Sequence, residues 1–157
     1  MENTNSKNIE DKVLTLDDKF MKLQDHWVNT INEISDGLKD LITMKDLQMR
    51  IYRDREILEK TICRCMATRI KAQREFAITQ KRLFEQYKTD GVNGIRLSND
   101  AQIWNMIALA KSDDEAVLEL MDNNISFLKG TLKTLDSIIY ALKDRLEIHK
   151  MIEGIKL

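Results

Sequence analysis

Cys63 and Cys65 are the first residues of this 157-residue chain whose type invites a chemical role. A bound metal or a redox bridge would have to use both thiols. The surrounding pattern is helical, and positions i and i+2 on a helix point about 160° apart. No histidine or third cysteine lies nearby, and a structural zinc takes its ligands in fours with wider cysteine spacing. The pair therefore reads as reduced, inert thiols of an intracellular protein. His26 and His149 are each solitary. Asp113, Asp114 and Glu115 have the composition of an acid/base or magnesium cluster. They also complete Ser112-Asp113-Asp114-Glu115, a capping box that places its acids on the positive end of a helix dipole. With no partner histidine, lysine or phosphate-binding loop beside them, capping is the simpler reading. The glycines between residues 91 and 94 match no phosphate-cradling pattern. The sequence predicts no enzyme, no metal and no cofactor.

Charge is more informative. The net charge is −1, yet residues 50–88 hold 11 Lys/Arg against 5 Asp/Glu, while residues 1–49 hold 6 against 10 and residues 89–157 hold 8 against 11. Seven of the nine arginines lie between positions 50 and 82. A localised positive segment in a near-neutral chain points to a polyanion-facing surface. On a helical wheel Arg53, Lys60, Arg64, Lys71 and Arg82 align, flanked by Arg50 and Arg74. The planar arginine fork suits phosphate, and few acids lie in line with it, among them Glu56 and Glu75. These seven residues are the predicted polyanion-binding set, to which the resemblance described below adds Lys81 and DNA as the polyanion. The opposite face carries Leu47, Ile51, Leu58, Ile62, Met66, Phe76, Phe84 and Tyr87. The aromatic residues could stack on bases, but from that face they are better read as core. Phosphate contacts hold a strand without reading its sequence. The plain alternative is a solvated face of an amphipathic helix.

Helices must position these residues. The chain has no proline, 5 glycines and 32% charged residues, a mixture that favours long helices over strands. Residues 1–14 are polar and without period, and read as a disordered tail. No signal peptide is expected, and no apolar run approaches the roughly 20 residues of a membrane span. Thr15-Leu16-Asp17-Asp18 resembles a capping box. Beyond it Leu16, Phe20, Leu23, Trp27, Ile31, Ile34, Leu38 and Leu41 form a helical stripe, with a bend allowed at Ser35-Asp36-Gly37. The basic helix spans about 45–88, either continuous with the first or separate. Gly91 and Asn93-Gly94 end it. Ser98 or Asn99 caps a short helix with Ile103, Trp104, Ile107 and Ala108, and the capping box at 112–115 opens the last helix. The expected fold is all-α and elongated, with an N-terminal helical region over 15–88 and a C-terminal one over 89–157.

The last helix carries five heptads. Leu118, Ile125, Leu132, Ile139 and Leu146 fall at a, and Met121, Leu128, Leu135, Leu142 and His149 at d. Val117, Ile138 and Ile152 at g, with Leu120, Phe127, Ala141 and Ile148 at c, widen the apolar arc beyond a two-stranded seam. The nine apolar a and d residues are the predicted oligomerisation set, suited to a bundle or ring. An intramolecular coil with the first helix is the alternative.

Lys81-Arg82-Leu83-Phe84-Glu85-Gln86-Tyr87 and Leu97-Ser98-Asn99-Asp100 precede Asp113-Asp114-Glu115. Ile125-Ser126-Phe127-Leu128-Lys129, Ile138-Ile139-Tyr140-Ala141-Leu142-Lys143 and Ile148-His149-Lys150-Met151-Ile152-Glu153-Gly154 follow. In this order residues 70–154 resemble the UvsY-type recombination mediator proteins of tailed phages. The family usually shows Tyr-Tyr-x-Gly after its basic pair, where this chain has Gln86-Tyr87-Lys88-Thr89-Asp90-Gly91. The resemblance implies small rings of about six or seven subunits, closed by cyclic symmetry. It also implies single-stranded DNA binding and loading of a RecA-like recombinase onto strands covered by single-strand DNA-binding protein, in the cytoplasm of an infected bacterium. Lys81 and Arg82 match the family's basic pair. The rival reading is a non-enzymatic coiled-coil scaffold whose basic face binds no nucleic acid. A membrane-surface helix is disfavoured because the first and last helices lack that character.

Overall fold

A computed structural model describes residues 4–38, 44–92 and 99–154, and among these the fold is all-α. Three helices account for it: α1 (Thr4–Gly37), α2 (Met44–Asp90) and α3 (Asp100–Ile152). The α2 helix is 47 residues long and α3 is 53. No proline breaks either, and the single glycine inside α3, Gly130, faces open space. Among the described residues no helix is long and apolar enough to cross a membrane.

Two boundaries differ from the sequence reading. The α1 helix already runs at Thr4, so Thr15-Leu16-Asp17-Asp18 lies inside it and not at its start. Residues 4–14, read as a disordered tail, belong to α1. Likewise the short helix and the final heptad helix are one. Ser112 does not cap: its hydroxyl donates back to the Leu109 carbonyl at 3.3 Å, and Lys111 pairs with Asp114 at 2.8 Å, three residues on within the same helix. A capping box needs a non-helical residue before it, and nothing around Lys111 halts the helix.

The other ends follow the expected chemistry. Gly91 adopts φ 74°, the left-handed conformation that a side chain would disfavour, and its N–H donates to the Tyr87 carbonyl at 3.1 Å. Asn99 Oδ1 accepts the Gln102 N–H at 2.9 Å and so caps α3. Gly154 has φ 69° and closes the far end. Gly37, the last residue of α1, packs closely on α2: an added Cβ would lie 3.3 Å from the Leu47 side chain. Leu41, Asn93-Gly94 and Ser98 lie outside the described residues.

The chain divides into two compact units. The bundle unit comprises Asp18–Arg64 and Asn124–Leu157. In it α1 and α2 run antiparallel, as Glu33 meets Arg50 and Gly37 meets Leu47. Here α3 lies parallel to α1, with Gln24 Nε2 on Asn124 Oδ1 at 3.4 Å and the Arg145 guanidinium on the Leu38 carbonyl at 2.8 Å. Its core holds Trp27, Ile34, Leu47, Ile51, Leu58 and Ile62 together with Ile125, Leu128, Leu135, Ile139 and Leu142, all buried.

The hairpin unit comprises Met1–Asp17 and Cys65–Asn123. There α2 and α3 run antiparallel, Arg69 meeting Asp122, Phe84 meeting Trp104 and Lys88 meeting Asp100. Among its described side chains Ile103 and Ile107 are buried, whereas Met66, assigned to the apolar face by its spacing, is 40% exposed. Phe76, Phe84 and Tyr87 are half-buried.

Candidate nucleic-acid interface

The α2 helix brings all eight residues of the basic set to the surface. Four of them, Arg50, Arg53, Lys60 and Arg64, belong to the bundle unit, and Lys71, Arg74, Lys81 and Arg82 to the hairpin unit. Three are engaged by acids. The Arg50 guanidinium donates to Glu33 at 2.5 Å, and Asp54 lies 3.6 Å from its Nε. The Glu33 hydrogen bond is the main reason its pKa is raised above the usual arginine value. Lys60 lies 2.6 Å from Glu56, a hydrogen bond that holds the Glu56 carboxyl below its usual range. Lys71 sits 3.9 Å from Glu75, a loose pair. Arg53, Arg74, Lys81 and Arg82 have no ion-pair partner among the described residues. Within the hairpin unit Arg74, Lys81 and Arg82 therefore present three cations without ion-pair partners among the described residues, along about two and a half turns of one helix.

Two further arginines escaped the wheel. Arg55 donates from Nε to Asp136 at 2.6 Å and from Nη1 to Glu59 at 2.7 Å, tying α2 to α3 in the bundle unit. Arg69 forms a two-pronged pair with Asp122, both bonds at 2.9 Å, and also donates to Gln73. Both sit well off the aligned basic face, towards α3. An arginine on the apolar side of a helix needs an acid across from it, and that was the available signal.

No protein family, curated protein or solved structure matches this chain.

The remaining chemistry-bearing residues are placed as follows. Cys63 is exposed and Cys65 half-buried, and burial pushes the Cys65 thiol up. Among the described residues no group of three or more His, Cys, Asp or Glu side chains gathers as metal ligands would. His26 stacks edge-on against Trp27 with centroids 5.4 Å apart. His149 Nε2 lies 3.0 Å from Glu153.

The oligomerisation set is largely used within the chain. Leu128, Leu135 and Leu142 at d are fully buried, and Ile125 and Ile139 at a are 7% exposed. Leu118, Met121, Leu132, Leu146 and His149 are half-buried. The intramolecular alternative accounts for the middle of the seam. What α3 leaves uncovered in the bundle unit is its end and outer flank, where Tyr140, Ile148, Met151 and Ile152 are exposed. Earlier along α3, that helix and α1 form a shallow groove of about 370 Å³ lined by residues that include Trp27, Val28, Ile31, Phe127, Gly130 and Thr131.

Proposed function

We propose that this protein binds single-stranded DNA through its phosphates as a homo-oligomer. We further propose that it acts as a recombination mediator, promoting the loading of a RecA-like recombinase onto strands covered by single-strand DNA-binding protein. The observation that carries the phosphate-binding part is the run of Arg74, Lys81 and Arg82, exposed on α2 without an ion-pair partner among the described residues. Cations whose charge is not met internally are free to displace counterions from a strand. The mediator part rests on the resemblance of residues 70–154 to UvsY-type proteins. Homo-oligomerisation is supported by the exposed apolar flank of α3 and would multiply modest phosphate sites by avidity.

A scaffold reading has specific support of its own: Arg50 and Lys60 are paired with acids, and the heptad core is buried within one chain. Charge reversal and salt dependence together separate the two. Arg74→Glu, Lys81→Glu and Arg82→Glu together are expected to weaken binding of a short oligodeoxythymidine by roughly 100-fold at moderate salt. The slope of log affinity against log salt should become shallower by about 2, at about 0.7 for each phosphate that is no longer neutralised. Native mass should stay unchanged. Unaltered affinity in the triple variant rejects these three cations as the strand contact, and no salt-dependent binding by the parent protein rejects the strand-binding reading in favour of the scaffold.

A further inference from the structure

Trp104 is an unusual occupant of a surface. It is the larger partner of an aromatic pair in the hairpin unit, yet it remains 48% exposed. The Phe84 ring lies against it, centroids 4.8 Å apart and planes tilted by 30°. Lys88 Nζ stands 5.5 Å from the Phe84 centroid and 3.7 Å from Asp100, too far for a tight charge-assisted hydrogen bond. Lys81, exposed and without an ion-pair partner among the described residues, precedes Phe84 by three positions, and Lys88 follows it by four. At 100° per residue both lysines fall within about 60° of Phe84, on the side of α2 that turns towards Arg82. Phe84 was expected to be core, since it lies opposite the basic face. The hairpin instead roofs it with an exposed indole, and Lys88 stands beside the Phe84 ring under that roof.

A half-exposed indole paired with a ring that has lysines three positions before and four after it on α2 matches the two demands of an unstructured strand: a flat apolar surface for the base and positive charge for the phosphates. A duplex hides its base faces in the stack and could use only the cations.

We infer that Trp104, seated on Phe84, stacks an unpaired base of single-stranded DNA, while Lys81 and Lys88 contact the adjoining phosphates. This rests on the strand-binding reading above and adds to it a base contact that phosphate binding does not require.

The test compares oligodeoxythymidine with an abasic deoxyribose-phosphate oligomer of equal length and charge. The chain has 2 tryptophans, and Trp27 is buried, so a Trp104→Phe variant supplies the Trp27 signal to subtract from parent emission. Oligodeoxythymidine should quench the Trp104 component and bind about tenfold more tightly than the abasic oligomer. The abasic oligomer should leave emission unchanged, and Trp104→Leu should abolish the preference while retaining salt-sensitive binding of both. Equal affinities with unquenched emission overturn the stacking site but leave phosphate binding intact. Failure to bind either oligomer overturns the strand-binding reading and this site with it. A change in Trp104 emission with protein concentration alone, without DNA, also overturns it, because a second copy would then cover the indole.

Discussion

Arg69 and Arg74 lie five residues apart on α2 and end in different places. Arg69 grips Asp122 with two bonds, whereas Arg74 stands exposed with no ion-pair partner among the described residues. Composition treats them alike. The helical wheel separates them, but only as directions; the acid that receives Arg69 belongs to a distant part of the sequence. That is why the basic surface was legible from residues 50–88 and the two clamps, Arg55 and Arg69, were not. The same limit applied to Trp104, since its contact with Phe84 depends on the hairpin pairing. The thiols allow a direct test of local environment. The thiolate is the form that attacks, and burial pushes the Cys65 thiol up, so less of it ionises near neutral pH. Iodoacetamide at pH 7 should therefore modify exposed Cys63 several-fold faster than Cys65, with Cys65 gaining as the pH rises. Peptide mass spectrometry over a time course reads the order, and equal rates would contradict the burial difference.

Helix content was readable from the lack of proline, and the α2 range of 45–88 differs little from Met44–Asp90. Starts were harder. Thr15 and Ser112 each begin a capping tetrapeptide, yet both lie within helices, because cap chemistry competes with whatever precedes it and here the preceding residues are helical. The heptads were visible as a seam, but sequence spacing does not say which helix fills it. In the bundle unit α1 and α2 share that role with α3, so Leu135 is a core residue of one chain. Leu135→Ala should lower unfolding free energy by about 2–5 kcal/mol. Ile148→Ala, on the exposed flank, should change it by no more than about 0.5 kcal/mol. Urea denaturation followed by circular dichroism makes the comparison. A negligible effect at Leu135 would mean that its burial contributes little to the fold.

For the whole molecule the question is which surface remains for self-association. With the middle of the seam occupied, the proposed contact moves to the exposed end of α3. Ile148→Glu combined with Ile152→Glu should lower the native mass without loss of helical signal, and weaken oligodeoxythymidine binding by reducing avidity. An unchanged mass would exclude that end as the contact. The order of chain segments has a separate effect, felt during synthesis. The bundle unit is discontinuous: its first segment ends at Arg64 and its second begins at Asn124. On the ribosome, Trp27, Ile34, Ile51 and Leu58 emerge with their α3 partners unmade, and about sixty further residues take on the order of several seconds to translate. The Leu38 carbonyl waits longer still for Arg145, 107 positions downstream. The nascent chain thus carries an unfinished apolar surface until the second segment of the bundle unit has been made.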